Sequence, residues 1–578
     1  MLLAQEHTIT TNPVAHSVYV SALFAVLPLL TLFVLLGVLR MRAWLAAVIS
    51  LAVALVVAVA VYSMPVGQAL LSGSEGATFG FFPILWIVLN AIWVYNLTVA
   101  SGHFDVLRRS FAAISPDMRI QAVIIAFCFG ALLEALAGFG TPVAITVVML
   151  MALGFRPVHA AAVSLLANTA PVAFGALATP IVTLASVASG ANDDSRLTVD
   201  TLGAMVGRQT PILAVVVPLV LVAVVDGRRG LRQTWPAALV AGAVFGLAQF
   251  VASNYISVQL TDIVAALASA LAVVALVRVW QPVESPDLGG DGAPAADEEP
   301  VPPAGSGARE PSGDLPTAVA TREAPAVVVD SRADIARAYA PYLIIIALFS
   351  IANIGAVKTA LAKSPWSTKF SWPGLHIFNA NGKPASSVTF AFGWLPAAGT
   401  LMVIAGVLTA VVLRVSVRRA AQAYVDTYVA LRYAIVTVMA VLALAYVLNQ
   451  SGQTNTLGAF LAGAGGAFAI LSSILGWIGV AVTGSDTSSN ALFGALQVQT
   501  AARAGLDPLL LAAANSSGGV LGKMISPQNL AIAASAVGMA GKEGEILRRV
   551  LGWSVVLLAF MCVLVALQAS PVLSWMVP

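Results

Sequence analysis

Charge is what this sequence has least of. Asp, Glu, Lys and Arg make up 10% of its 578 residues, where soluble domains carry about 25%. A chain this poor in charge cannot cover a water-facing surface, so a soluble globular protein is excluded. The net charge of +3, with no basic patch interleaved with aromatics, excludes nucleic acid as a partner. Histidine (5) and cysteine (2) are also scarce. Cys128 and Cys562 sit in apolar runs and read as small buried hydrophobes rather than a disulfide or metal pair. No H-E-x-x-H occurs and no nucleophile–base pair stands out, so the chain does not read as an enzyme. Gly522-Lys523-Met524 lacks the glycine spacing and the following Ser/Thr of a P-loop. The GAGG run at 463–466 reads as close helix packing. Neither a cofactor nor a metal is expected.

Apolar sequence is what the chain has in abundance: 59% of residues are hydrophobic and the mean hydropathy is +0.92. Runs of about 20 residues recur, the length that crosses a bilayer core. The expected fold class is an all-α polytopic membrane protein with about twelve transmembrane helices. The first run, 20–39, is too long for the apolar part of a signal peptide. It is followed by Arg40 and Arg42, so it reads as an anchored first span. Spans at 43–62 and 81–100 follow, with Glu75 in the loop between them. Arg108, Arg109 and Arg119, then Arg228, Arg229 and Arg232, mark cytoplasmic loops, which puts both termini outside. The loop with Lys358, Lys363, Lys369 and Lys383 then falls outside, against the bias. Arg278, Arg332, Arg337, Arg414, Arg418 and Arg419 on the opposite side outvote it. Residues 281–337 turn to Pro, Gly, Ala, Asp and Glu and read as a disordered cytoplasmic linker. The chain thus divides into a first set of spans (1–118), a first transport repeat with the spans after it (119–280), the linker (281–337), the spans of the second half (338–448), and a second transport repeat with the last span (449–578).

Two of the apolar stretches are interrupted in a way that no lipid-facing helix would be. The first, 130–181, contains Glu134, GFGTP at 138–142 and NTAP at 168–171. In hydrocarbon, a carboxylate or a broken backbone is tolerated only where protein or a watery cavity satisfies it. The stretch reads as a re-entrant hairpin turning at 138–142, followed by a single broken helix over 157–189. The second stretch, 481–533, can be laid on the first. GFGT at 138–141 matches GSDT at 484–487, and GFRP at 154–157 matches GLDP at 505–508. Asn168, Gly175, Thr179 and Pro180 match Asn515, Gly522, Ser526 and Pro527 at one constant offset. Charge parity starts the first unit inside and the second outside. The pair is therefore expected to be two inverted-topology repeats, each a re-entrant hairpin plus a broken helix, with substrate and ions held near the midplane.

The candidate site residues follow from that arrangement. Backbone N–H groups freed at 168–171, with the dipole of the helix that follows, suit a carboxylate. Gly138 and Gly140 allow close approach of a small ligand, and Thr141, Asn168, Thr169, Ser485, Thr487, Asn490, Asn515 and Ser516 supply neutral hydrogen bonds. Four segments form the walls: 138–142, 168–171, 485–490 and 515–519. Glu134 is either a proton carrier or a structural carboxylate bonded to hairpin backbone. Asp486 either carries the proton or caps the helix starting near Thr487. Lys523 pairs with substrate, pairs with a carboxylate, or snorkels. Arg208 reads as an anchor at an outer membrane edge, and Arg156, His159, Arg503 and Asp507 as turn residues.

The segments GALLEALAGFGTPVAIT, LLANTAPVAFGALATPI, MVGRQTP, DGRRGLRQTWPA, GWIGVAVTGSDTSSNALFGALQ and AANSSGGVLGKMISPQNLAIA carry a strong resemblance to the lactate permease family. The likeness runs over nearly all of the membrane part, with the segments in the same order. It implies uptake of L-lactate, and commonly D-lactate and glycolate, with protons across the bacterial plasma membrane. It also implies membership of a wider set of ion transporters built from two re-entrant hairpins and two broken helices. The implied partners are a small 2-hydroxycarboxylate, protons and the lipid bilayer, with homo-oligomerisation left open. A sodium-coupled or exchange transporter for another small monocarboxylate is the alternative. The acidic, Pro-rich linker departs from the family pattern, and Lys523 is not among its fixed features.

Overall fold

The computed structural model describes residues 6–112, 114–138, 140–192, 194–284, 330–379 and 381–578. Most of the expected linker, 285–329, lies outside the described residues. Its far end is ordered: residues 332–337 form the first turns of the helix Arg332–Asn353, capped by Ser331, whose hydroxyl accepts from the backbone N–H of Asp334.

Helices dominate, because in lipid a backbone must satisfy its own hydrogen bonds. Among the described residues, 11 helical runs are long and apolar enough to cross a membrane. The longest, Val199–Ile256, is divided at Asp226 and Gly227, where Gly227 takes φ 58°. Strands are few and lie in one loop and the N-terminal segment. Ser367–Ser371 pairs antiparallel with Thr389–Gly393, and His7–Thr8 pairs with Ile377–Phe378.

Glu75 is not in a loop. It lies in the helix Val66–Phe79 and is buried. The polar run VGQALLSGSEGATF lowered the local hydropathy, but its polar residues face protein. Gly76 and Gly80 let this helix press against the backbone of Leu442, Ala443 and Met439, and Gln450 donates to Glu75 Oε2 at 2.8 Å. Close approach at small residues is a common way for membrane helices to pack.

The side chains sort the loops onto two faces. On one, His7 contacts the Ser451 carbonyl, Arg503 reaches Thr11, Lys358 pairs with Asp200, and Arg196 bridges Asp194 and Asp507. Arg208 bonds to Asn254 and to the Met576 carbonyl, so both terminal segments share this face. On the other, Arg119 binds Asp117, Asp226 and the Glu284 carbonyl, Arg109 binds Asp330, and Arg549 donates to His159.

Two large apolar cores, with a small third at Trp93, Leu97 and Ala423, fill the interior. One joins residues of 87–277, 338–349, 398–405 and 468–565; the other joins 22–89 with Val187, 375–388 and 435–496. The re-entrant elements meet where these cores adjoin. The glycine run at 463–466 does not serve close packing. A Cβ at Gly463, Gly465 or Gly466 would meet nothing within 4 Å. Gly465 instead supplies φ 54°, ψ −136°, a conformation at a helix break that glycine alone tolerates.

Candidate functional site

The first hairpin is formed by Met118–Ala137 and Thr141–Ala152, which pack along one another. The span-length window of its first limb is 100% buried, so Glu134, one turn from its end, faces protein rather than lipid. The chain reverses at Gly138 and Gly140, the latter at φ 86° and pressed against Ile532. Pro142 then starts the return limb, where its missing N–H costs nothing.

The first broken helix runs as Pro157–Ala167, a turn at 168–171, a 3-10 turn Val172–Phe174, and Gly175–Ser189. The break is longer than the sequence suggested. Ala176, Leu177 and Ala178 all have positive φ (44°, 56° and 58°), one left-handed turn before the helix resumes. Left-handed backbone costs an L-residue about 1–2 kcal/mol, so some 3–6 kcal/mol is held here by the surrounding packing.

The second hairpin is Phe468–Thr483 and Asp486–Ala504, joined at Gly484 with φ 73°. Ser485, not Asp486, is its cap: the Ser485 hydroxyl accepts from the Ser488 N–H. Asp486 is the first residue of the helix, and its carboxylate is free to face the centre. The second broken helix is Pro508–Gly519, a 3-10 segment Val520–Ile525, and Pro527–Ala536. Residues 515–519 therefore remain helical and the break falls one turn later. Gly518 and Gly519 are kept in the helix because they pack on Ser473, Val480 and Asp486. In both broken helices a hydroxyl just before a proline, Thr179 or Ser526, donates to the carbonyl three residues back.

These elements converge on two carboxylates. Glu134 Oε1 lies 2.6 Å from Lys523 Nζ, and Glu134 Oε2 accepts from Asn168 Nδ2 at 2.9 Å. One hairpin and both broken helices thus share a single ion pair. Gly175 lies against the same carboxyl: a Cβ there would come 2.9 Å from Glu134 Oε1. Asp486 Oδ2 accepts from Ser516 Oγ at 2.6 Å and from Asn490 Nδ2 at 3.3 Å. Asn490 Nδ2 also reaches the Pro180 carbonyl at 3.1 Å, and its Oδ1 accepts from Asn515 Nδ2 at 2.9 Å. Asp486 Oδ1 and Asn168 Oδ1 are buried without a protein partner. A buried acceptor left unpaired is costly, so both oxygens are suited to a proton or a ligand donor.

A cavity of about 1130 Å³ joins the two carboxylates. Of the residues expected in the site, Glu134, Gly138, Ser485, Asp486, Thr487 and Lys523 line it. Asn168, Asn490 and Ser516 stand behind, bonded to the carboxylates, and Asn515 is one bond further back. Gly140 and Thr141 shape the hairpin turn, and the Thr169 hydroxyl is spent on the Leu166 carbonyl. Arg40, Arg42, Trp44, Tyr433 and Glu543 also line the cavity. The Lys523–Glu134 pair, in a cavity shared with Asp486, can give way to a bound anion and a proton.

The sequence pattern of the L-lactate permease family matches residues 21–572. The chain belongs to the L-lactate permease family. It is similar to the L-lactate permease of Bacillus subtilis (strain 168), 38% identical and covering 98% of this chain and 99% of that one. It is similar to the glycolate permease GlcA of Escherichia coli (strain K12), 40% identical over 95% and 96% of the two chains. The L-lactate permease of the same strain is 39% identical over 98% of each. Among solved structures, the Alcanivorax borkumensis YdaH transporter covers 86% of each chain at 16% identity, with a TM-score of 0.41. MtrF of Neisseria gonorrhoeae covers 87% of this chain and 84% of its own, at 14% identity and a TM-score of 0.45. The chain is thus a multi-pass membrane permease and a transporter rather than an enzyme.

The permease core holds polar residues that the sequence reading passed over. Gln497 bridges Asn515 Oδ1 and the Ser472 carbonyl. Gln209 joins Ser517 to Gln568, and Gln249 joins Thr210, Asp262 and the Ala170 carbonyl. A signal was present, since glutamine inside a span is rare enough to mark an interior face. Gly175 and Gly519, each pressed on a carboxylate, were visible only as matched or small residues.

Proposed function

We propose that the permease takes up L-lactate, with D-lactate and glycolate as related substrates, by proton symport across the plasma membrane. The observation that carries this reading is the buried Lys523–Glu134 pair on the wall of a cavity that also holds Asp486. A substrate carboxylate entering the cavity takes Lys523 from Glu134. The released carboxylate, buried and without its cation, then takes up a proton, because an unpaired charge there is strongly disfavoured. Anion and proton are thereby bound together. Asp486, with its unpartnered oxygen, offers a hydrogen bond to the 2-hydroxyl group that L-lactate, D-lactate and glycolate share.

The two hairpin–broken-helix units are proposed to form an inverted repeat about the midplane. The matched Thr179 and Ser526 bonds and the packing of the first hairpin tip, at Gly140, on Ile532 of the second broken helix support that reading. By the positive-inside bias, the face with Arg40, Arg42, Arg119 and Arg549 is cytoplasmic and both termini lie outside.

Uptake of labelled lactate into proteoliposomes tests the proposal. An imposed proton gradient is expected to concentrate lactate, and glycolate is expected to compete. Accumulation driven by sodium alone, or none under either gradient in vesicles that exchange lactate, overturns proton symport.

A further inference from the structure

We infer that Asp262 is a second proton-binding site of the permease core, coupled to Glu134 across the turn at 168–171. Asp262 stands in the first turn of Thr261–Val279 and is 1% exposed. Its Oδ1 accepts from Gln249 Nε2 at 3.1 Å, and its Oδ2 is buried with no partner among the described residues. No salt bridge among the described residues reaches it. Gln249 Nε2 also reaches the Ala170 carbonyl at 3.3 Å. Ala170 lies two residues beyond Asn168, whose amide holds Glu134. The two carboxyl groups are therefore each tied by one amide to the same short turn.

The groups around Asp262 leave it no cation. The helix Thr210–Val251 presents Gln249 and Thr210. The first hairpin limb packs on the same helix and carries Glu134, and its Cys128 faces Ser269 further along. The resumed helix Gly175–Ser189 contributes only neutral residues. The helix Arg332–Asn353 carries its charges Arg332, Asp334 and Arg337 in its first turns. Glu134 has Lys523, whereas Asp262 has a neutral amide and an open oxygen. A bare carboxylate in that setting is strongly unfavourable, so the oxygen carries a proton. The N-terminal N–H groups of its own helix moderate that cost and let the proton leave. When substrate draws Lys523 away, both acids, tied to the same turn, are left without a counter-ion. They then titrate as a pair rather than singly.

The consequence for transport rests on the proton-symport reading; the proton on Asp262 does not. Infrared spectroscopy of the purified, reconstituted permease reads it directly. A protonated-carboxyl stretch is expected at neutral pH, lost in Asp262→Asn and shifted in Glu134→Gln, with Glu75→Gln identifying any share from Glu75. A band unchanged in Asp262→Asn overturns the inference. Asparagine keeps the acceptor for Gln249, so Asp262→Asn should still take up lactate at acidic pH but with the midpoint of its pH profile moved. An unmoved midpoint overturns the coupling. If Asp262→Asn does not reach the membrane, Gln249→Leu removes the one partner of Asp262 and should shift the same band; no shift overturns the inference. Uptake that follows sodium alone would sink the proposed function while the infrared band still decides on Asp262.

Discussion

Removing the ammonium of Lys523 should do more than weaken substrate binding. The pair with Glu134 is short, at 2.6 Å, and its side chains are 8% and 4% exposed. Taking one partner from a buried pair costs about 3–5 kcal/mol, mostly because the other charge is stranded; replacing both with neutral groups is often near neutral. Lys523→Met should therefore lower the melting temperature of the solubilised permease, and Glu134→Gln with Lys523→Met should recover most of the loss. The coupling expected from the cycle is about 2–3 kcal/mol, the upper part of the range for touching residues. Binding separates the partners further. Lys523→Met loses a charge-assisted hydrogen bond to the substrate carboxylate, about 1.5–3 kcal/mol, or roughly ten- to a hundredfold in Kd. Glu134→Gln removes the competitor instead, so lactate should bind at least as tightly while its uptake loses dependence on pH. Measuring melting and lactate binding on the four proteins decides the matter. Coupling below about 0.5 kcal/mol, the error of independent sites, or equal binding losses in the two single variants, would refute the exchange of Lys523 between carboxylates.

Three further outcomes follow from local geometry. Gly175→Ala puts a methyl 2.9 Å from Glu134 Oε1 and should cut uptake at least tenfold with normal membrane levels, whereas Gly463→Ala, with open space, should be silent; the reverse order would discredit the packing at Glu134. Ala176→Gly, at φ 44°, should leave melting unchanged or raise it slightly, opposite to the loss of about 1 kcal/mol expected within a right-handed helix. On the loop face shared with the termini, hydrogen bonds from Arg196 hold the Asp194 carboxyl below its usual 3.8. A depressed folded pKa stabilises above the unfolded value and loses that stabilisation as pH falls through the folded one. The melting gap between wild type and Arg196→Gln should therefore be constant above about pH 4 and close below it; a gap that widens on acidification would contradict the pairing.

Much of this organisation is legible in the sequence, and the reason is that breaks inside apolar runs are expensive. GFGTP and NTAP announce the first hairpin and broken helix, and GSDT, GLDP and the Asn515–Gly522–Ser526–Pro527 spacing announce the second. What hydropathy does not carry is which polar residue faces which neighbour. Glu75 read as a loop residue because its helix is polar on the side that meets Gln450. The segment 515–519 reads as a wall of the site, and tight packing of its glycines on Ser473 and Val480 keeps it helical. The pairing of Lys523 with Glu134 joins residues 389 apart in sequence, and only the folded chain selects it from the alternatives open to each. Asp262 and its glutamine neighbours belong to the same class.

The matched units share a frame but not their charges. At the offsets that align them, Lys523 falls on Ala176, Glu134 on Val480 and Asp486 on Gly140. One unit supplies the acid and the other supplies the base that closes on it. An ancestor assembled from two identical chains would have had two such lysines or none, and two such acids or none. Placing both units in one chain lets each drift alone, so the core can hold a single anchoring cation. On the proposed exchange, a single anchor at Lys523 would hold one anion per cycle, however wide the cavity around it.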